Sequence, residues 1–532
     1  MAVSRPYAAA RHGLQAVTRT HRFLGGLGLG YFYLALVTAV GLWLTPFLLT
    51  RIGTRDYGLW LITTQILGYL MLLDLGVVAL APRETAYATG RALGGGDSAD
   101  LSDTVARFRR VVRWQTLPTA LVCVLAWWLV GSAWTDLRWP LAVILAAFVL
   151  SFPVRLYHAV LQGLQDFAFL GKAQIAAWAS GTAVTIWLVL LHAGLTALAA
   201  GWVMTQAVTV VACGVRLRRA FPLAWKRSLP HVSWDDARAL FVRSGWISLA
   251  QIGQVFLNGS DLLVLGAVLG PAATVPYACT GKLVTVLANH PQLLMQTAAP
   301  ALAEMRTSTS RQRLVPVVLA LTRAMLVISG AVACLVLALN EAFVHWWVGR
   351  AQYAGWVLTA LLAGGLLVRH FATTLTYALF SFGYERRLSL TALADGVVTI
   401  VVTWMLASFT ASGLASAAIG SLAGVLLVSV PASGLALARE LDVTLWGVFL
   451  SLRGWAIRFV CAAAICLLGA RALAPAGAAG VIGGGVAVAA IYLVIMLPLV
   501  LEPPLGTYVR SALASLTSMV AGRREPAAEP RA

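Results

Sequence analysis

The sequence predicts an all-α polytopic membrane protein of about fourteen transmembrane helices. Hydrophobic residues make up 60% of the chain and charged residues only 11%. The mean hydropathy is +0.83, far above the range usual for soluble domains. Apolar segments of about 20 residues, enough to cross a bilayer, recur along the whole chain between short polar breaks. The predicted spans are 24–50, 57–81, 108–131, 138–161, 171–192, 193–217, 241–269, 273–301, 314–340, 353–380, 387–409, 411–438, 447–470 and 478–502.

The distribution of basic residues predicts the orientation of these spans. The net charge of +19 alone would suit a nucleic-acid-binding protein. However, of 39 Lys and Arg residues, five fall in breaks predicted to face outward and two lie inside spans, which leaves 32 in or near the inner segments. This is the positive-inside pattern for an even number of spans. We therefore expect a multi-pass protein of the inner (plasma) membrane with both termini in the cytoplasm, and no nucleic-acid partner.

The first apolar run does not resemble a cleaved signal peptide, and the cysteines do not resemble metal ligands. The run is about 27 residues long and lacks a small-residue cleavage site, so we expect a retained span rather than a signal peptide. All six cysteines lie within predicted spans, without CxxC or His/Cys spacing typical of metal sites. We therefore predict that they are packing residues that form neither disulfides nor a zinc site, and that the protein holds no bound cofactor.

Three pairs of similar segments indicate an internal duplication. Gly53 and Gly270 start matching outer turns 217 residues apart, and ASGTAVTI resembles ADGVVTI with an offset of 215 between Gly181 and Gly396. GLTALAAG at 194–201 resembles GLASAAIG at 413–420, with an offset of 219. Six spans separate the copies, so the copies share orientation and are related by an axis along the membrane normal.

The duplication predicts the domain organisation. Residues 24–217 form a first six-helix lobe and residues 241–438 a second, with 218–240 as a charged cytoplasmic connection. Residues 439–502 form an extra helix pair. The remaining segments, 1–23 and 503–532, are cytoplasmic tails, of which the first is strongly basic.

Polar residues on the seventh span share one helical face. They are spaced by three or four residues, the helical repeat: Ser244, Ser248, Gln251, Gln254, Asn258 and Asp261. The eighth span has a similar series: Lys282, Thr285, Asn289, Gln292 and Gln296. Interhelical hydrogen bonding explains one or two such groups. Eleven polar residues on two neighbouring helices favour a water-accessible cavity.

Asp261 and Lys282 lie at matching depth. The turn between their helices centres near residue 272, which places each of them on the order of 15 Å from the outer surface at 1.5 Å per residue. This is close to the bilayer midplane. The two groups either form a structural ion pair between adjacent helices or belong to a site that binds an anion, a coupling cation, or both.

Three further charges lie within predicted spans. Arg369, near the midplane of the tenth span, is either a cavity cation or a member of a structural pair. Asp395, in the eleventh span, either neutralises Arg369 or titrates. Asp74 lies toward the cytoplasmic end of the second span, where capping and packing compete with an ion-coupling role.

Several motifs resemble the polysaccharide flippases of the multidrug/oligosaccharidyl-lipid/polysaccharide exporter superfamily, the group that contains O-antigen and lipid II flippases. They are IGTRDYGLW after the first span, LLDLG with Arg83 nine residues after Asp74, and NGSDLLVLGAVLGPAATVPYACTGKLV in the second lobe. The resemblance covers nearly the whole chain.

This resemblance implies a function. Such flippases move a polyprenyl-diphosphate-linked oligosaccharide across the bilayer by alternating access, with the sugar in a central cationic cavity and the lipid tail in the bilayer. It implies that Lys282 faces the cavity and that Asp261 matches the common Asp of the seventh helix. No distinct motif surrounds Arg369 or Asp395, so the resemblance says less about them. A polysaccharide polymerase or glycosyltransferases would be the protein partners.

The chemistry of the residues is compatible with such a substrate. A diphosphate at the midplane needs a cation, and Lys is a compact phosphate binder. Gln, Asn and Thr provide donors and acceptors for sugar hydroxyls. A proton or Na⁺ that competes for Asp261 would couple an ion gradient to transport.

Three other functions remain to be weighed. A membrane glycosyltransferase, polymerase or ligase would need a sizeable external loop with catalytic groups, and the longest outward break, 341–352, is short. A drug or cation exporter of the same superfamily would favour an anionic cavity, whereas Lys282 and Arg369 favour an anionic substrate. A lipid II-type flippase is the third alternative.

Overall fold

The computed structural model describes residues 19–93, 99–225, 234–288 and 311–503, together with a few single positions around residues 291–306 and 505–510. Every regular element in these ranges is a helix. The chain separates into two compact units, one up to Ile252 and the other from Gly253 onward. The predicted all-α fold is confirmed, and the chain is a multi-pass membrane protein.

The first unit begins with a long helical stretch that is divided at Gly53, and it continues with shorter helices. Its helices are α1 (Arg19–Leu70), α2 (Val77–Leu93), α3 (Ala99–Ala133), α4 (Arg138–Ser151), α5 (Arg155–Gly163), α6 (Phe167–Leu190) and α7 (Leu195–Ala220). Apolar side chains from all of these helices are buried in one core, which includes Phe148 of α4 and Leu217 of α7.

The helix α8 (Trp234–Leu269) starts in the first unit and ends in the second. It bends by 47° between its parts Ser244–Leu257 and Gly259–Leu269. The other helices of the second unit are α9 (Thr274–Thr280), α10 (Lys282–Leu287), α11 (Arg311–Trp347), α12 (Trp356–Ser381), α13 (Glu385–Phe409), α14 (Ala415–Gly424), α15 (Val430–Leu441), α16 (Leu445–Ser451), α17 (Arg453–Leu473) and α18 (Gly477–Leu501).

Within the described ranges, 11 helices are long and apolar enough to cross a membrane, or 12 if the bent α8 is one span. The predicted count of fourteen is therefore not confirmed. The first two predicted spans are counted together in the stretch Phe32–Asp74, although Gly53 has non-helical angles and divides this stretch into two helical segments. The eighth predicted span, 273–301, runs beyond the described residues.

Glycines allow the abrupt backbone changes that begin the matching outer turns. Gly53, inside α1, has φ 83° and ψ 166°, and Gly270, after α8, has φ 91° and ψ 159°. Residues with a Cβ rarely adopt these angles. The two positions predicted to be equivalent, 217 residues apart, therefore have the same unusual conformation.

The helix pair α6–α7 of the first unit packs through glycine and threonine. A Cβ on Gly181 would lie 1.9 Å from Thr205 Oγ1, and one on Gly201 would lie 1.8 Å from Thr185 Oγ1. Side chains therefore interlock with glycines at two levels, which lets the two backbones approach closely.

The pair α13–α14 of the second unit repeats this packing. A Cβ on Gly420 would lie 2.1 Å from Thr403 Oγ1, and one on Gly424 would lie 2.3 Å from Thr399 Oγ1. The contacts make Gly201 equivalent to Gly420, and Gly181 equivalent to Thr399.

The latter equivalence corrects the alignment of Gly181 with Gly396 by three residues. Gly396 instead lies against Phe256 of α8, and Gly253 of α8 lies against Ala392. The predicted boundaries of the lobes, 24–217 and 241–438, stay a prediction.

Candidate functional site

Arg369 is the centre of a polar cluster within the second unit. It lies halfway along α12, and its side chain is 25% exposed. Its Nη1 and Nη2 donate to the two carboxylate oxygens of Asp395 over 3.1 and 3.3 Å. Its Nε and Nη2 also donate to the hydroxyl and the carbonyl oxygen of Ser421, each over 3.0 Å. The guanidinium is thus held in one orientation by α13 and α14.

Asp395 has every acceptor position occupied. Besides the bidentate contact from Arg369, it accepts hydrogen bonds from Thr399 over 3.2 Å and from Ser429. Its side chain is completely buried. Of the two alternatives predicted for Asp395, the structure contains the ion pair with Arg369, and a titrating role stays a prediction.

A local irregularity brings Ser429 to this cluster. Residues Val425–Ser429 form a π-helical turn in which the Val430 amide donates to the Val425 carbonyl, five residues earlier. Pro431 follows directly. Proline has no amide hydrogen and its ring collides with the carbonyl four residues before it, so an α-helix cannot continue regularly here. Such π turns occur frequently at functional sites.

Asp261 forms a second polar contact beside the first. Its Oδ2 accepts a hydrogen bond of 2.6 Å from the Tyr277 hydroxyl of α9, while its Oδ1 is buried and has no hydrogen-bond partner in the described part of the chain. Arg369 is close enough to interact electrostatically with both residues. Of the two alternatives for Asp261 and Lys282, the structural ion pair is not formed in the described part of the chain, where Asp261 bonds to Tyr277, and the binding site stays a prediction.

Lys282 begins α10, directly after the break at Gly281. Its side chain is half-buried, and within the described residues it has neither an ion pair nor a hydrogen bond. The nearest group with an electrostatic effect on it is the Cys279 thiol. The two midplane cations thus differ, because Arg369 is neutralised and Lys282 is not.

The remaining residues of the two polar faces have mixed surroundings. Gln251 is half-buried, whereas Gln254 and Thr285 are exposed, and the Thr285 hydroxyl donates to the Gly281 carbonyl over 3.0 Å. Ser244 and Ser248, at the start of the face, are buried and lie against Gly76. The side chain of Asn258, and the whole of Asn289, Gln292 and Gln296, lie outside the described residues.

Asp74 has the geometry of a cap in the first unit. A short 3₁₀ turn, Met71–Asp74, interrupts the chain, and Leu75 adopts a left-handed conformation. The Asp74 Oδ1 accepts the Gly76 amide over 2.9 Å, and its Oδ2 lies 3.8 Å from Arg155 Nη2. Of the alternatives for Asp74, this arrangement is the capping one. Its ion-coupling role stays a prediction.

Tyr277, Thr399, Ser421 and Ser429 belong to the site but were not predicted from the sequence. The sequence signal for Ser429 is Pro431, two residues after it, because a proline marks an irregularity in a helix. No comparable signal marks Tyr277, whose neighbours are mostly apolar. In the described ranges no group of three or more His, Cys, Asp or Glu side chains is arranged to hold a metal ion.

Comparison with known proteins gives one family and several related folds. The family described as "Polysaccharide biosynthesis protein" matches residues 115–358, which include Asp261, Tyr277 and Lys282. No curated protein sequence matches the chain.

Among solved structures, the chain is similar to the lipid II flippase MurJ in an inward closed conformation. The TM-score is 0.62 at 9% identity, over 89% of this chain and 99% of that one. It is also similar to an inward-facing multidrug resistance MATE family transporter of the MOP superfamily. That match has a TM-score of 0.56 at 14% identity, over 75% of this chain and 93% of that one. At these identities the similarity is one of fold.

Proposed function

We propose that this chain is a member of the multidrug/oligosaccharidyl-lipid/polysaccharide (MOP) exporter superfamily and that it flips a lipid-linked oligosaccharide. The substrate is a polysaccharide repeat unit on a polyprenyl diphosphate, moved from the cytoplasmic to the outer leaflet by alternating access. The protein works in the inner (plasma) membrane, beside the polymerase and glycosyltransferases that use or make this lipid.

One observation carries the proposal: Lys282 is a half-buried cation without a counter-charge in the described part of the chain. Moving an unpaired ammonium group out of water is unfavourable, and an incoming diphosphate would reverse this. Arg369 is less suited to that role because Asp395 already neutralises it. Gln254 and Thr285 are exposed and supply hydrogen-bonding groups for a sugar.

Asp261 is the candidate for ion coupling. Its Oδ1 is a buried acceptor without a partner among the described residues, and a proton or Na⁺ bound there would remove its unfavourable desolvation. Asp395 is less suited, since its acceptor positions are filled.

The same Asp261 oxygen also fits a second candidate function, the export of a cationic drug. A carboxylate with a free acceptor attracts an organic cation as well as a coupling ion. The two functions differ in what Lys282 does, because a lysine in the cavity attracts a diphosphate and repels a cation.

The test is a proteoliposome assay with a fluorescent polyprenyl-diphosphate disaccharide as the probe. We expect Lys282→Ala to weaken probe binding by roughly 10- to 100-fold, the value of a hydrogen bond to a charged group, and to slow flipping accordingly. Lys282→Arg keeps part of the activity. Lys172→Ala, which removes an exposed lysine of α6, is the matched control and leaves binding unchanged.

In the same assay, an imposed proton or Na⁺ gradient accelerates the wild type but not Asp261→Asn. Unchanged binding and flipping in Lys282→Ala contradicts the lipid-diphosphate proposal. Transport of the cation ethidium that increases in Lys282→Ala supports the drug exporter instead.

A further inference from the structure

The second unit contains an apolar cavity away from the polar cluster. Its volume is about 500 Å³, within the range of binding sites for small ligands. It is lined by α11, α12 and α15 and by the start of α16, with side chains such as Val318, Phe371, Leu375 and Leu437. Thr322 and Thr444 are its polar lining residues. An occupant must therefore be apolar over most of its length.

The depth of the cavity equals one leaflet. On α15 the lining runs from Val430, which follows Ser429, to Leu441 at the helix end. Eleven residues of helix measure about 16 Å, which is half of a ~30 Å hydrocarbon core. The cavity thus extends from the level of the Arg369 cluster to the surface that the basic residues predict to be cytoplasmic.

A cation without a counter-charge in the described ranges lies beside this cavity, next in sequence to one of its lining residues. Arg323 directly follows Thr322 on α11. Its Nη1 and Nη2 donate to the carbonyl oxygens of Pro503 and Ser451 over 3.0 Å each, and its Nε is buried without a partner. No carboxylate pairs with Arg323 in the described ranges, whereas the neighbouring Arg306 pairs with Glu440 over 3.0 Å. Arg323 therefore supplies a site for an anion.

The apolar lining and the length of the cavity fit a single hydrocarbon chain. An acyl chain spans one leaflet, as the cavity does, whereas the polyprenyl chain of a sugar carrier is longer.

We propose that this cavity binds an anionic phospholipid of the cytoplasmic leaflet. One acyl chain fills the space between α11, α12 and α15, and the phosphate group lies against Arg323. Since Arg323 also contacts the carbonyls of Ser451 and Pro503, the lipid headgroup joins the second lobe to the chain segments on either side of α17 and α18. This site is separate from the proposed transport site at Lys282.

The test uses the full-length protein in nanodiscs that contain phosphatidylglycerol with a photoreactive group near the end of one acyl chain. Irradiation of the wild type is expected to label peptides of α11 and α15. Ala438→Phe fills the cavity and should reduce this labelling to background. Leu435→Phe, an exposed position on the same helix, is the matched control and keeps the labelling.

Headgroup selectivity tests the second half of the proposal. We expect the wild type to prefer phosphatidylglycerol over phosphatidylcholine by roughly tenfold, the value of a charge-assisted hydrogen bond. Arg323→Gln removes this preference but keeps the chain contact. If Ala438→Phe does not fold, Val318→Phe fills the same space from α11.

Three results would overturn the proposal: labelling that persists in the filled variants, equal labelling by both lipids in the wild type, or displacement of phosphatidylglycerol by polyprenyl phosphate. The last result would assign the cavity to the tail of the transported lipid. Flipping lost in Lys282→Ala with labelling intact would separate the two sites.

Discussion

The helix pairs α6–α7 and α13–α14 share a packing scheme but not a charge. In both, a glycine on one helix accommodates a threonine of the other, as Gly201 does for Thr185 and Gly420 for Thr403. By the same equivalence, the position of buried Asp395 in the second pair is that of buried Ala177 in the first. The second pair therefore carries a charged member of an ion pair, Asp395, where the first pair has an apolar side chain.

The difference extends to the residue that makes room for the carboxylate. The first pair has Thr205 at the position of Gly424, and a Cβ on Gly424 would lie 2.2 Å from Asp395 Oδ1. At this level the first pair has Gly181 on α6 and Thr205 on α7, whereas the second pair has threonine on α13 and glycine on α14. The two pairs have the same spacing of glycine and threonine, and the carboxylate of Asp395 lies where Gly424 has no side chain.

The largest expected effect comes from breaking the ion pair. Asp395→Ala leaves Arg369 without its counter-charge and should lower the free energy of unfolding by about 3–5 kcal/mol. Ala177→Asp, the reciprocal change in the first pair, buries a carboxylate that has no cation and should also destabilise strongly. Unfolding in mixed micelles of detergent and denaturing surfactant measures both.

The control for this prediction removes both charges. Arg369→Met combined with Asp395→Leu removes both members of the ion pair and should recover most of the stability lost in Asp395→Ala. A double variant as unstable as Asp395→Ala would contradict the pairing. A stable double variant that does not transport would show that the pair is needed for function.

An intermediate effect is expected from adding one methyl group beside Asp395. In Gly424→Ala the new Cβ would overlap the Asp395 carboxylate and Thr399 Oγ1, so the backbone must move, at a cost of about 1–3 kcal/mol. Gly214→Ala in α7 is the control, because its nearest neighbour, Tyr157 Cδ2, lies 3.7 Å away. Thermal unfolding measures the stability of both variants. Equal stability would contradict the close packing at Gly424.

The smallest effect is expected at an exposed ion pair of the first unit. Arg55 Nη2 lies 2.9 Å from Asp136 Oδ2, but the two side chains are 64% and 49% exposed. Water and salt screen such a pair, so Arg55→Ala should cost about 0.2–1 kcal/mol. The same thermal unfolding assay measures it, and a loss as large as that of Asp395→Ala would show that burial does not decide the value of these pairs.

The fold class and the charged residues of the site could be predicted from the sequence. Long apolar segments are sufficient to recognise membrane helices. An ionisable residue inside such a segment indicates a special role wherever it occurs. Arg369, Asp395 and Asp261 were identified in this way, and the pairing of the first two was one of the predicted alternatives.

The partner of Asp261 could not be predicted from the sequence. Helical periodicity gives the depth of a residue and its face, but not which neighbouring helix that face meets. Lys282 and Asp261 match in depth, yet the hydroxyl of Tyr277 reaches the carboxylate instead. Similarly, sequence similarity aligned Gly181 with Gly396, whereas the helix packing aligns Gly181 with Thr399, almost one helical turn away. Contacts between helices depend on side-chain interlocking, which apolar sequence similarity does not report.

The π-helical turn Val425–Ser429 determines the direction in which the later side chains of the same helical stretch point. Each residue of an α-helix advances by about 100°, so the one extra residue of a π turn rotates all later side chains by nearly that angle. This rotation directs Ser429 toward Asp395, and it also determines which face of α15 lines the apolar cavity through Gly434, Leu437 and Leu441. A deletion of one residue from this turn would therefore misdirect two sites at once, one polar and one apolar.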